Sequence, residues 1–407
     1  MVKKYIFALE GDYESNEFLQ KFESKAKEDL MRINDMIHTE LINKKNSITH
    51  HHKSRKWDKY KKLTNDYELV FTSTQGCPSI ADYYPISRSY FKLWELLNDF
   101  AEEIKFPSKP ITSVFLADAP GGFGEAFINF RQGITDNIYA MSLKATNKII
   151  PHWKFNDTYC KNNNVSIFYG NSGTGNIYDL NNIEDLIKQT GNNACYFITA
   201  DGGFDFSSDF NNQEEMSFRL IMCEIYAALK LQMEGGTFVL KIYDIHNITT
   251  MRLLYILKIF YKKMYFVKPL SSRPANSEKY VICNGFNMID KEDIYNEITS
   301  IMKHNIVMYN TDTHLCKDIY VPILFMRDII DYNRVYITNQ IMHIIKTLML
   351  IDMNEDNYDI IKQQVRKAVK WCHKYKVPIS TGNLQKYRNY FFSSSTTAGS
   401  STTTGLM

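Results

Sequence analysis

Asp118-Ala-Pro-Gly-Gly-Phe-Gly-Glu125 follows an apolar run, Val114-Phe-Leu-Ala117, and leads into a helical stretch, Ala126-Phe-Ile-Asn-Phe130. Gly121, Gly122 and Gly124 let the backbone approach a ligand closely. The start of the helix offers N–H groups to a carboxylate. A loop at the carboxyl end of the first strand is where open α/β sheets bind cofactors. The spacing is not G-x-G-x-x-G, which argues against a dinucleotide. It suits S-adenosylmethionine, a ligand with an aminocarboxylate and an adenosine but no pyrophosphate. Alone, the stretch is also compatible with a glycine-rich turn that holds nothing.

Working outward, short β-branched or aromatic runs recur at Thr112–Asp118, Asn137–Leu143, Val165–Tyr169, Cys195–Asp201, Thr237–Tyr243, Met264–Lys268 and Lys279–Cys283. Helical patterns lie between several of them. The clearest is Glu215–Met233, where Phe218, Ile221, Met222, Ile225 and Leu229 share a face. This alternation predicts an α/β fold, a Rossmann-like open sheet with helices on both faces, over residues 87–289. Residues 1–86 read as a mainly helical extension, with Phe18, Phe22, Ala26, Leu30, Ile33 and Ile37 on one face. His50, His51 and His52 open a basic segment in which Trp57 and Tyr60 add stacking surface among the lysines. A solvated helix is the plain reading of that segment, and an RNA-backbone contact is its functional version. Residues 290–392 read as mainly helical, best over Ile337–Ile351 and Tyr358–Tyr375. The second carries Lys362, Arg366, Lys367, Lys370 and Lys374. The Ser/Thr-rich tail, 393–407, reads as disordered.

Composition narrows the function classes. Over 407 residues, 48 Lys+Arg against 45 Asp+Glu leave a net charge of +3, so a bulk polyanion clamp is excluded and any nucleic-acid contact must come from local patches. With 44% hydrophobic and 23% charged residues the body is globular. Seven scattered cysteines without a CxxC pair argue against a zinc ribbon and for reduced thiols in an intracellular protein. The N-terminus, MVKKYIFALEGDYE, turns acidic too soon for a signal peptide, and no apolar run reaches spanning length, so no membrane partner is expected.

Four further segments fall at strand ends. Thr199-Ala-Asp-Gly-Gly203 puts Asp201 at the rim of the first loop. Gly235-Gly-Thr-Phe-Val-Leu-Lys-Ile-Tyr243 puts Lys241 late in an apolar strand, where an ammonium needs a partner. A structural ion pair would satisfy that need as well as a catalytic one. Ser271-Ser-Arg-Pro-Ala-Asn-Ser-Glu278 ends in Glu278 just before the strand Tyr280-Val-Ile-Cys283. Ser87-Arg-Ser-Tyr-Phe-Lys-Leu-Trp94 starts a helix that carries Lys92.

In this order, SRSYFKL, DAPGGF, TADGG, GGTFVLKIYD and SRPANSEKY resemble the FtsJ-like RNA 2′-O-methyltransferases, and most of all the branch that methylates the first transcribed nucleotide of capped mRNA. The resemblance covers about the middle half of the chain. It implies a Lys-Asp-Lys-Glu tetrad of Lys92, Asp201, Lys241 and Glu278, with Lys241 deprotonating or orienting the ribose hydroxyl. Partial desolvation and a second lysine would then lower the pKa of Lys241. It implies S-adenosylmethionine as cofactor, bound by Asp118, Pro120, Gly121, Gly122, Phe123 and Asp201, with Asn176 or Asp179 on the adenine side. No metal is required. Capped mRNA is the implied substrate, met by Asp209, Asn211, Ser271, Arg273 and Asn276, and other capping enzymes or the transcription machinery are implied as partners. The loop Phe204–Asn212 mixes aromatics, an acid and amides as a methylated-purine pocket would. Tyr83 and Tyr84 are further stacking candidates. The competing readings are an rRNA or tRNA 2′-O-methyltransferase and a non-catalytic RNA-binding subunit of a capping complex. Usage rich in Asn, Ile, Lys and Tyr suits a large DNA virus or a protist, so the expected location is the cytoplasm, or a viral factory or virion, before the nucleus.

Overall fold

The computed structural model describes residues 6–9, 17–52, 56–74, 76–147, 150–204, 206, 209–309, 316–353, 358–388 and 391, with side chains omitted for 17–23 and 49–52. The expected tail at 393–407 and the side chains of Phe18, Phe22, His50, His51 and His52 lie outside the described residues. By internal contact the chain divides into two compact units, each made of two separated stretches. One is Met1–Ser47 with Pro85–Met342, and the other is Ile48–Tyr84 with His343–Met407.

The first unit is built on an eight-stranded sheet. Its strands are β1 (Ile6–Leu9), β2 (Thr112–Leu116), β3 (Asn137–Met141), β4 (Val165–Phe168), β5 (Cys195–Ala200), β6 (Gln232–Ile242), β7 (Tyr261–Val267) and β8 (Lys279–Phe286). They lie in the order β1-β7-β8-β6-β5-β2-β3-β4. The pairs β4–β3, β3–β2, β2–β5 and β5–β6 are parallel, and β6–β8, β8–β7 and β7–β1 are antiparallel. The central strands read as continuous apolar runs because helices cover both faces. In β2 the side chains alternate between two packed layers. Phe115 meets Phe127 and Phe197 on one face, while Val114 and Leu116 join the cluster around the Gln213–Leu231 and Ile248–Phe260 helices. The strand order reverses between β2 and β5, which opens a crevice at their carboxyl ends. Glu278 reaches the same edge because β8 starts opposite the end of β6, with Lys279 beside Ile242.

β1 departs from the mainly helical reading of the N-terminal extension. A four-residue strand is too short to announce itself in sequence, and this one forms by pairing Ile6–Leu9 with Met264–Val267. The long helices Glu17–His52, Glu292–Val307 and Ile323–Met353 follow the expected helical character of the flanks. None of the helices among the described residues is long and apolar enough to cross a membrane.

The second unit packs the Lys56–Leu63 and Tyr358–Lys374 helices around a small aromatic core. Gln364 donates to the carbonyls of Lys62, Leu63 and Asn65 at 2.8, 3.1 and 2.8 Å. Trp57 and Tyr60, expected as stacking surface, are 4% and 5% exposed and so are buried. Their i, i+3 spacing makes them the apolar face of a short basic helix. Lys367 is ion-paired with Asp66.

Candidate active site

The glycine turn after β2 is shaped by its own carboxylate. Asp118 is buried and accepts the N–H groups of Phe123 at 2.9 Å and Gly124 at 2.8 Å. The donors expected to meet a ligand carboxylate are therefore taken up by the chain, and Asp118 holds the first turn of the Gly122–Phe130 helix, whose N-cap position is Gly121. The glycines serve packing as well. A Cβ on Gly122 would come within 2.1 and 2.2 Å of the Ser87 and Ser89 hydroxyls. Gly121 has φ 114°, and a Cβ there would lie 2.7 Å from the ring of Phe155, which also covers Gly124. The turn thus seats the start of the Ser89–Asp99 helix, and Ile86 N–H donating to Glu125 at 2.7 Å fixes the same approach. Pro120 accepts the Lys154 N–H at 3.1 Å, and Phe123, fully buried, packs on Tyr280.

The four residues expected as a tetrad come together as two ion pairs. Lys241 Nζ lies 3.1 Å from Asp201 Oδ1 and donates to the Asp201 carbonyl at 2.6 Å. Lys92 Nζ lies 2.7 and 2.8 Å from the two oxygens of Glu278. The Tyr280 hydroxyl donates to Asp201 at 3.0 Å and Ser272 to Glu278 at 2.8 Å, so each carboxylate has one cation and one hydroxyl. Gly202 and Gly203 keep this space narrow. A Cβ on Gly203 would lie 3.1 Å from Lys241 Nζ and 2.5 Å from the Tyr243 hydroxyl.

Charge in the site corrects one expectation. Burial disfavours the Lys241 ammonium, but Asp201, Tyr243 and Glu278 outweigh it and hold its pKa above the ordinary lysine range. The neighbouring carboxylates thus favour the Lys241 ammonium, against the lowering expected from desolvation. Burial also pushes the Glu278 carboxyl up, yet Lys92, Lys241 and Lys268 pull it well below the usual range. Asp118 goes the other way, raised by burial and by the neighbouring charge of Asp201.

Several residues of the site are missing from the sequence reading. Lys268 donates to the carbonyls of Asn276 and Glu278 at 2.7 and 2.6 Å and to the Asn276 side chain. Glu95, on the buried face of the Lys92 helix, accepts the N–H groups of Leu270 and Ser271 at 2.6 and 3.1 Å. Its signal was an acid among Phe91, Leu93, Leu96 and Leu97. Glu224 lies beneath Gly202 on the Gln213–Leu231 helix, where burial raises its carboxyl to about 8 although Lys241 opposes the shift.

The residues expected to meet cofactor adenine and RNA are placed mainly as local structure. Asp179 caps the Leu180–Thr190 helix through the Asn181 N–H at 3.0 Å, and the Asn176 side chain accepts the Tyr178 N–H at 3.0 Å. Asp209 accepts the N–H groups of Asn211 and Asn212 at 2.9 and 3.2 Å, and Asn211 donates to Asn46 at 2.8 Å. Ser271 is buried, its hydroxyl without a hydrogen-bond partner among the described residues, and its carbonyl accepts Arg88 at 2.9 Å. The Arg273 carbonyl accepts the Asn276 N–H at 3.2 Å, and Asn276 is exposed. Asp205, Ser207 and Ser208 of the 204–212 loop lie outside the described residues.

The switch point of the sheet thus carries a glycine turn shaped by Asp118 and, beside it, the Lys-Asp-Lys-Glu cluster. Residues 85–286 match the family model described as FtsJ-like methyltransferase and form a domain of that family. A cap-specific mRNA (nucleoside-2′-O-)-methyltransferase 1 of Mus musculus is 28% identical over 55% of this chain and 27% of its own length. The protein of the same name in Trypanosoma brucei brucei is 34% identical over 48% of this chain and 51% of its own length. The chain thus spans about half, or less, of the curated relatives it matches. Among solved structures, a Plasmodium falciparum protein assigned as a ribosomal RNA methyltransferase aligns with a TM-score of 0.36 at 19% identity, over 49% of this chain and 97% of that one.

Proposed function

We propose that the protein transfers a methyl group from S-adenosylmethionine to the ribose 2′-hydroxyl of the first transcribed nucleotide of capped mRNA. The observation that carries this reading is the tetrad, closed as Lys241–Asp201 and Lys92–Glu278 at the switch-point end of the sheet. The substrate follows from relatives that carry the cap-specific name. The cofactor fits the donor set. Asp118 and Asp201 are acids close enough for one to raise the other, so this end of the sheet favours a ligand that brings positive charge, as this cofactor would. When bound, S-adenosylmethionine supplies an electrophilic methyl group on sulfur.

The chain's own residues then have distinct tasks. Asp201 and Glu278 hold two ammonium groups at fixed points. The ribose oxygen gains charge as it loses its proton to solvent, and the Lys241 ammonium, held by Asp201 as Lys92 is by Glu278, stabilises that oxygen. Because the cations are anchored before substrate arrives, little reorganisation remains for the reacting step, and alignment supplies much of the rate. A methyl-tritiated cofactor and short RNAs with a 5′ triphosphate, an unmethylated cap or a methylated cap test the reading. Label confined to capped RNA, and to the first nucleotide, is the expected result. Equal label on triphosphate RNA, or on rRNA and tRNA, would replace it with a different substrate class.

A further inference from the structure

We infer that Lys45 is a positioning residue for this reaction, an inference that rests on the proposed function. Lys45 lies on the Glu17–His52 helix, outside residues 85–286, and its side chain is 4% exposed. A buried ammonium persists only where it is paired. Here it donates to Asp244 Oδ2 at 2.8 Å and to the Phe210 carbonyl at 3.1 Å. Each partner belongs to a rim of the site. Phe210 is in the loop that follows Asp201, and Asp244 follows Lys241 by three residues. The same Asp244 oxygen accepts the Ser277 hydroxyl at 3.1 Å, next to Glu278. One ammonium–carboxylate pair therefore joins the loop after β5, the end of β6 and the loop before β8.

The neighbouring residues strengthen this junction. Asn46, one position along the helix, accepts Asn211 at 2.8 Å, so the helix clasps the first loop twice. From the Ile323–Met353 helix, Gln340 donates to Ser277 at 3.1 Å and to the Ala275 carbonyl at 3.3 Å, and Tyr336 donates to the Glu278 carbonyl at 3.2 Å. Burial would raise the Asp244 carboxyl, but Lys45 and Lys279 pull it below the ordinary range, as a committed ion pair requires. The loop after β5 is thus held by the Glu17–His52 helix and the loop before β8 by the Ile323–Met353 helix, both outside residues 85–286, and Asp244 links the two loops through Lys45 and Ser277.

Lys45→Met and the double variant Lys45→Met/Asp244→Asn separate positioning from stability. In Lys45→Met, amide hydrogen exchange at 209–212 and 271–278 should quicken by at least about tenfold, with the central strands unchanged. Turnover on capped RNA should fall on the order of 100-fold, as for a misplaced reacting group, with cofactor affinity retained. The double variant removes the Asp244 charge as well and leaves buried Lys279 without its counter-charge, so its melting temperature should stay below the parent and loop protection and turnover should stay lost. Parent-like protection of both loops in folded Lys45→Met would overturn the assignment. So would a double variant that regains turnover together with melting temperature. A parent that leaves capped RNA unmethylated would overturn the proposed function instead, and hydrogen exchange would still decide the positioning role.

Discussion

Asp118 and Glu278 are both acids at one edge of the sheet, held in opposite ways. Asp118 spends its oxygens on two backbone N–H groups, and its carboxyl is raised by burial and by Asp201. Glu278 faces ammonium groups and one hydroxyl, and despite burial its carboxyl is lowered by Lys92, Lys241 and Lys268. Backbone partners fix the shape of a turn, whereas cationic partners fix charge in space. The first arrangement sets where the Lys92 helix starts, and the second sets where a reacting oxygen can be stabilised.

The largest expected effect is on the cationic side. Lys241→Ala should lower turnover by about 10²–10³-fold, the usual loss for one preorganised donor. It should also lower the melting temperature, because Asp201 loses its ammonium partner and keeps the Tyr280 hydroxyl. Lys241→Met/Asp201→Asn should recover the melting temperature without recovering turnover. Recovery of both would make this pair structural, like the pair of Asp118 with its backbone. Single-turnover rates beside thermal melts decide it.

Acid titration sharpens the contrast next. A carboxyl with a depressed folded pKa stabilises the fold above its unfolded value and loses that contribution as pH falls through the folded one. Glu278 is of this kind, so stability should drop on the order of 2 kcal/mol on acidification below the ordinary glutamate range. Glu278→Gln should be less stable at neutral pH and should lack that part of the drop. Asp118 has the opposite sign. Its contribution is present at low pH and lost as pH rises through its raised value. Denaturant midpoints across pH for parent, Glu278→Gln and Asp118→Asn read both signs.

Removing the Asp118 carboxylate is expected to cost less. Asp118→Ala leaves the Phe123 and Gly124 N–H groups without their acceptor and should destabilise by about 1–2 kcal/mol. Cofactor affinity, followed by calorimetry, should fall with it. Unchanged affinity would confine Asp118 to shape alone. The smallest effect is expected in the second unit, where Lys367→Ala breaks a half-exposed pair with Asp66. It should cost at most about 1 kcal/mol and leave RNA affinity and its salt slope unaltered.

The sheet was legible because its central strands are apolar runs, with glycine-rich turns after β2, β4 and β5, and the tetrad because four charged residues sit at strand or helix ends. Partners supplied from far along the chain were not. Glu95 binds a loop 175 residues away, and Lys45 binds one 165 residues away. In sequence Lys45 does not differ from a surface charge, and Glu95 is marked only by the apolar residues around it. The purpose of the glycines was hidden for the same reason. Gly122 reads as an approach to a ligand, yet the close neighbours are Ser87 and Ser89. Lys241 was found by its place late in a strand, but the sign of its shift depends on Tyr243, Glu278 and Asp201 acting together.

The four residues Ile6–Leu9 have a consequence for anyone who trims the protein to its family domain. They are the last strand of the sheet, hydrogen-bonded along Met264–Val267. A chain reduced to 85–286 would leave that flank of β7 with its N–H and C=O groups facing solvent beside Met264 and Phe266. Such a flank is a template for a strand from another copy. The trimmed domain would then form oligomers that grow with concentration, and its failure to behave as a monomer would say nothing about its chemistry.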